Sequence, residues 1–135
     1  MPLDAVMDRM LAGLHEAGFT DLVPAHLNVL RYPGPQNRRP SDLAKEARMS
    51  KQAVNYMLGD LERLGYIARH DDPDDRRAKR IQLTKRGKTL SRAIRDTVRQ
   101  LEAEWEKELG PEKFAQLRGL LVALNDTAVV RELYG

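Results

Sequence analysis

The stretch RHDDPDDRRAKRIQLT, from Arg69 to Thr84, packs four aspartates and five basic residues beside an alternating apolar run. A carboxylate next to a guanidinium can fix it through a bidentate bond, so such a cluster can present an arginine in a set pose. A guanidinium held that way suits the strong negative potential of a narrow DNA minor groove. Asp74, Asp75, Arg76 and Arg77 supply the parts, while Arg69, Lys79 and Arg80 are placed on the flanks to meet phosphates. A solvated, self-cancelling loop is the plainer reading of the same residues.

A second group lies upstream. Ser50 is placed to cap a helix, and Lys51, Gln52, Asn55 and Tyr56 follow on one side of it. Gln and Asn can pair bidentately with adenine, and Lys with guanine or a phosphate. Tyr56 can donate to a phosphate or touch a thymine methyl. Asp60 and Glu62, which repel DNA, come later on the same helix.

Enzyme chemistry finds no such support. His15, His26 and His70 lack the HxxxH or HExxH spacing of a metal site, so no metal and no cofactor is expected. No nucleophile–base set and no phosphate-binding glycine loop occurs. The chain has no cysteine, which excludes disulfides, thiolate metal sites and thiol redox switching.

These residues need positioning by recognisable elements. LDAVMDRMLAGLHEAGF reads as a helix with Leu3, Val6, Met7, Met10, Leu11 and Leu14 on one stripe, ended by Gly18. Thr20 is a plausible N-cap for a second helix, DLVPAHLNVLRY, and Pro33–Pro40 reads as a loop. A short helix follows over Pro40–Ala47, then a tight connection at Arg48-Met49. The helix after Ser50 buries Val54, Met57, Leu58, Leu61 and Leu64 and stops at Gly65.

The period then changes to two. Tyr66–Arg69 and Arg80–Leu83 read as strands of a long-tipped hairpin. Thr84 caps a helix over Lys85–Leu109 with Leu90, Ile94, Val98, Leu101, Trp105 and Leu109 on its stripe. Gly110-Pro111 breaks the chain before a last helix carrying Phe114, Leu117, Leu120, Leu121, Leu124 and Ala128. The expected class is mainly α with a small β-hairpin wing (α+β), a winged helix-turn-helix flanked by N- and C-terminal helices.

Composition agrees with one globular domain over 1–135: apolar residues are 41% and charged residues 32% of 135. No apolar run is long enough to span a membrane and the first residues lack a signal-peptide pattern, so a cytoplasmic protein with no membrane partner is expected. Charge is uneven. Residues 36–90 hold fourteen Lys/Arg against eight Asp/Glu, a net of +6, and the remainder nine against twelve, a net of −3. A basic middle suits a polyanion.

The segment LGDLERLGYIARHDDPDDRRAKRIQLTKRGKTL resembles the MarR family of bacterial transcription regulators. Its marks are Leu64-Gly65-Tyr66-Ile67-Ala68-Arg69, then Asp72-Pro73-Asp74-Asp75-Arg76-Arg77, then Leu83-Thr84 and Gly87. The resemblance implies a homodimeric regulator, acting as a repressor, that binds a pseudo-palindromic double-stranded DNA operator. The DNA-binding lobe would be 20–90, with a recognition helix over 50–65 and a wing over 66–83. It makes Arg77 the minor-groove arginine of the wing tip and Asp75 its support. Residues 1–19 and 91–135 would form a helical dimerisation lobe.

Leu3, Met7, Met10, Leu14, Trp105, Leu117, Leu121 and Leu124 are the expected dimer contacts, an intramolecular bundle being the other way to bury them. The resemblance also suggests that His15, Phe19, His26, Arg31 and Tyr32 line a pocket for a small phenolic or anionic effector, although ordinary structural positions account for them too. The competing functional reading is a winged-helix protein–protein interaction module with a vestigial DNA face. Retention of Lys51, Arg76 and Arg77 argues for DNA.

Overall fold

The computed structural model describes residues 2–30 and 34–125. Arg31, Tyr32, Ala128 and the side chains of Leu3 and Leu124, all named above, lie outside the described residues. Six helices and one hairpin follow in the order α1 (Pro2–Glu16), α2 (Pro24–Leu30), α3 (Pro40–Ala47), α4 (Lys51–Arg63), β1 (Ile67–Asp72), β2 (Asp75–Leu83), α5 (Lys85–Leu109) and α6 (Pro111–Asn125). This is the expected winged helix-turn-helix, mainly helical with a two-stranded antiparallel hairpin. The chain divides into two compact units, Met1–Thr97 and Val98–Gly135.

The first unit is built around apolar stripes. On α4, Val54, Leu58 and Leu61 recur at helical spacing and are wholly buried. They meet a core that includes Leu14 of α1, Leu22, Val29 of α2, Leu43 and Ala44 of α3, Ile67, Ile81 and Leu90. Each such side chain contributes roughly 1.5–3 kcal/mol on burial. Ser50 caps α4 by accepting from the Ala53 N–H at 3.1 Å. Between α3 and α4 the chain turns on Arg48, a non-glycine residue at φ 53 that costs about 1–2 kcal/mol.

The second helix begins later than the sequence suggests. Thr20 and Asp21 lie in a turn, and α2 starts at Pro24, whose missing N–H costs nothing there. Asp21 is instead fixed by two groups from later in the chain. It accepts from the Tyr66 hydroxyl and, at 2.9 Å, from Arg86 Nη2. The Arg86 guanidinium lies 4.2 Å from the centre of the buried Tyr66 ring. Burial raises Asp21, but the Tyr66 hydroxyl and then Arg86 outweigh it and hold the carboxyl below its usual range. Burial, then the Asp21 contact, pushes the Tyr66 phenol well above its usual value.

Thr84 closes this junction. Its hydroxyl donates to the Gly65 carbonyl at 2.6 Å and accepts from the Gly87 N–H at 3.1 Å. The backbone at Gly87 approaches Tyr66 so closely that a Cβ there would lie 1.9 Å from the Tyr66 carbonyl oxygen.

The strands reach further than their apolar alternation shows. They run to Asp72 and from Asp75, joined by Pro73-Asp74, so the long tip becomes a tight turn on a longer hairpin. Tyr66 precedes β1 and belongs to the core. Register runs regularly from Ile67↔Leu83 to Asp71↔Lys79 and then shifts to Asp72↔Asp75. Arg76, Arg77 and Ala78 therefore have no partners in β1. Within the described part of the Pro33–Pro40 segment, residues 34–40, two residues do more than connect. Asn37 N–H donates to the Ile81 carbonyl at 2.7 Å, and Ile81 N–H to the Arg38 carbonyl at 3.0 Å, so they pair along the outer edge of β2.

In the second unit, large apolar side chains stay open. Leu117 is 41% exposed, Leu120 69%, Leu121 57% and Val122 59%, and Trp105 on α5 is 37% exposed. The N-terminal candidates behave differently. Leu14 is wholly buried and Met10 nearly so within this chain, so they are core residues and not an open face for a partner. Met7 is half-buried.

Candidate nucleic-acid interface

Burying Val54, Leu58 and Leu61 forces the other side of α4 outward. Lys51, Gln52, Asn55 and Tyr56 are all exposed, Tyr56 to 70%. They occupy the first two turns, as their spacing implies. Glu62 is exposed further along. Asp60 is withdrawn from that face, since Arg63 pairs with it and His26 Nε2 lies 2.5 Å from it.

A cleft of about 310 Å³ opens between the starts of α3 and α4 and the wing. Arg39, Lys51, Arg69, Arg77 and Lys79 line it together with Asn55 and Ser41. Five cations and no carboxylate make it a place for a polyanion.

The wing's charges sort into tethered and free. Asp72, with no exposed side-chain surface, is the central acid. Its Oδ2 lies 2.7 Å from Arg39 Nε and 3.0 Å from Arg80 Nε, and its Oδ1 accepts from the Asp74 N–H at 2.9 Å. The Asp74 amide, with Arg39 and Arg80, holds this carboxyl below the usual range despite burial. Asp74 and Asp75 were the acids expected to hold the arginines. Instead Asp75 Oδ1 accepts from the backbone N–H of Arg77 at 3.0 Å, fixing the chain at Arg77 and not the guanidinium.

The flanking cations are largely spent inside the chain. Arg69 Nη2 donates to the Asn55 carbonyl at 3.2 Å, tying β1 to α4. Arg80 Nη1 donates to the Asn37 carbonyl at 2.9 Å, and Lys79 pairs with Asp71. These three were expected to meet phosphates. Their contacts make Arg69 and Arg80 positioning residues first. Among the described residues the guanidinium groups of Arg76 and Arg77 and the Lys51 ammonium have no ion-pair partner, and all three are exposed.

Arg39 is a site residue that the sequence did not single out, and Asp72 stood among the family marks with no role assigned to it. Asp72 had one usable signal, its place directly before Pro73. Arg39 had its place directly before the proline that opens α3.

The residues expected around an effector are engaged elsewhere. His15 Nε2 donates to the Leu22 carbonyl at 3.0 Å. Phe19 is buried against Tyr66, with ring centres 6.2 Å apart. His26 is buried. Its Nδ1 accepts from the Val23 N–H at 3.0 Å, so Nε2 carries the proton that goes to Asp60. None of the three lines the clefts of about 310, 340 and 130 Å³ that open on the described residues. His15 and His26 complete hydrogen bonds of the fold, and Phe19 fills its core. Among the described residues no group of His, Cys, Asp and Glu is arranged to hold a metal.

Comparison with known proteins agrees with this geometry. Residues 11–78, half of the chain, match the model of the MarR family. The chain belongs to the MarR family, whose members are DNA-binding transcription regulators of winged-helix fold and not enzymes. It is similar to FabT of Streptococcus pneumoniae, solved in complex with DNA, at 25% identity and TM-score 0.71, over 85% of this chain and 80% of that one. The transcriptional regulator PA4135 is 26% identical with TM-score 0.71, over 92% and 90% of the two chains. NadR, solved in complex with 4-hydroxyphenylacetate, is 27% identical with TM-score 0.65, over 93% and 87%.

Proposed function

We propose that this chain is a homodimeric, sequence-specific repressor that binds a pseudo-palindromic double-stranded operator in the cytoplasm. The observation that carries this reading is the acid-free cationic cleft shared by α3, α4 and the wing, with Lys51 and Arg77 unpaired on its walls. In it, Ser50 and Lys51 meet the backbone at the mouth of the major groove. Gln52 and Asn55 read base edges, and Tyr56 adds a phosphate or methyl contact. Arg77 enters the minor groove from the wing tip, with Asp75 fixing its backbone and Arg76 beside it. Arg69, Lys79 and Arg80 hold the wing at its angle to α4.

The exposed apolar side chains Trp105, Leu117 and Leu121 support a second copy as the partner that covers them. Two α4 helices then read half-sites about one DNA turn, ~34 Å, apart. A dimer seated there blocks transcription by occupancy. Release by a small phenolic or anionic effector is supported by the complex of NadR with 4-hydroxyphenylacetate, with the contacts here lying outside His15, Phe19 and His26.

Selection of bound duplexes from a random pool tests this directly. The expected product is a two-fold symmetric motif with half-sites one turn apart. Recovery of no motif, with Arg77→Ala binding DNA as tightly as the parent chain, overturns the reading.

A further inference from the structure

Helix α5 carries its charge in the wrong order for its own stability. From Lys85 to Arg99 it holds Lys85, Arg86, Lys88, Arg92, Arg95 and Arg99 against the single acid Asp96. From 100 to 109 it holds Glu102, Glu104, Glu106 and Glu108 against Lys107. The partial charges of a helix favour acids in the first turns and bases in the last. Cations three and four residues apart on one face repel each other as well. Arg86 is accounted for by its bonds to Asp21 and the Leu64 carbonyl, which leaves the cations further along the run to explain.

The cations at the centre of this run face an opening. Lys88, Arg92 and Arg95 line a cleft of about 340 Å³ with Ser91, Gln36 and Leu83, and no carboxylate takes part. All six residues belong to the first unit. Gln36 is held there because its Oε1 accepts from the Leu83 N–H at 2.7 Å, so its amide NH₂ remains as a donor. Among the described residues none of Lys88, Arg92 and Arg95 has an ion-pair partner. None of the six lines the wing cleft.

We propose that this cleft is a second oxyanion site, which takes phosphate groups and extends the DNA contact beyond the recognition helix and the wing. Lys88 and Arg92 are separated by about 6 Å along the helix and Arg92 and Arg95 by about 4.5 Å. That is a row of charge, which suits successive phosphates of one strand better than a single compact anion. The DNA source rests on the function proposed above. The oxyanion chemistry does not, because free phosphate would meet the same donors.

The test uses the full chain and the double variant Arg92→Gln/Arg95→Gln. Removing two mutually repelling cations from α5 should leave it folded with an equal or higher melting temperature. Binding of a selected duplex is titrated across salt for both proteins. The expected result is a several-fold weaker affinity and a log–log salt slope shallower by about 0.9 for each lost phosphate, roughly 1.8 per protomer and roughly 3.6 for the DNA-bound dimer. In parallel, inorganic phosphate is titrated into the DNA-free proteins while the amide resonances of Ser91, Arg92 and Arg95 are followed. A shallower slope without saturable phosphate shifts assigns the site to the DNA backbone. Saturable shifts in the parent chain that vanish in the variant, with the slope unchanged, assign it to a free phosphate ion. An unchanged slope together with no saturable shift overturns the proposal. Arg77→Ala runs alongside: if it binds DNA like the parent, the DNA reading fails, while the phosphate titration still judges the cleft.

Discussion

Asp72 accepts from Arg39 Nε–H at 2.7 Å, and this contact joins the wing tip to the N-cap residue of α3. Because Arg80 Nε approaches the same oxygen at 3.0 Å, one buried carboxylate ties helix-turn-helix and hairpin together. The angle of the wing to α4 is thereby set by groups that need not touch DNA. Asp72→Asn keeps the acceptor for the Asp74 amide but removes the charge between two arginines. The wing should loosen, with faster hydrogen exchange across β1 and β2, and operator affinity should fall although Asp72 exposes no side-chain surface. Equal exchange rates in the two proteins would remove Asp72 from this role.

Arg77 and Arg69 should separate function from structure. Arg77→Ala removes an exposed, unpaired cation, so stability should stay within about 0.5 kcal/mol, while the salt slope of DNA binding falls by about one per protomer, about two for the bound dimer. Arg69→Ala removes the bond to the Asn55 carbonyl and should lower the urea midpoint. Paired unfolding and binding curves for both variants check the contrast.

Base reading by α4 makes a sharper demand. Gln52→Ala or Asn55→Ala should cost roughly 1–3 kcal/mol on the selected operator and much less on random duplex. Equal losses on both DNAs would leave these residues as backbone contacts only.

Gly87 is a test of packing. Gly87→Ala places a methyl 1.9 Å from the Tyr66 carbonyl oxygen, so α5 must move away from the strand junction. The expected cost is about 1–3 kcal/mol, or roughly 5–10 °C in melting temperature. A melting curve unchanged from the parent would show that the junction gives way freely.

The buried histidine predicts a pH response. Burial lowers His26 below the ordinary imidazole value of 6.5, the Asp21 charge opposing only in part, although Nε2 also donates to the Asp60 carboxylate. The Val23 N–H occupying Nδ1 works in the same direction. Between the lowered folded value and 6.5 the unfolded chain binds more protons, so stability is full above 6.5 and is lost as pH falls through that window. Melting temperature followed from neutral to mildly acid pH should drop in the parent chain and drop less in His26→Gln.

Most of the fold was legible because its signals are local. The α4 stripe, the Ser50 cap, the Gly65 stop and the Gly110-Pro111 break are written in residue types, and α3, α4 and α5 fall where they indicate. The wing was partly hidden. Strand pairing from His70 to Asp72 involves polar and charged side chains that show no apolar alternation. The register shift after Asp71 defeats parity as well. Counting from Ile67 by twos places Asp71 inside and Asp72 outside, whereas Asp72 is buried and Asp71 exposed. The pairing of Asn37 and Arg38 with Ile81 runs through backbone atoms alone and leaves no mark in composition. The effector candidates illustrate a different limit. His26 and Phe19 look alike in a sequence whether they line a cavity or fill a core, and here they fill a core.

That backbone pairing has a further consequence. An unpaired strand edge is a template for another chain, and a hairpin carried on a protein's surface has two of them. Here Asn37 and Arg38 occupy the outer side of β2 at Ile81, and the Gln36 side chain takes the Leu83 amide. The other side, along β1, carries Arg69, His70 and Asp71, polar residues that discourage pairing with a neighbour. The hairpin is therefore guarded against intermolecular sheet formation even when no nucleic acid covers it, which should keep the unliganded protein from assembling through its wing.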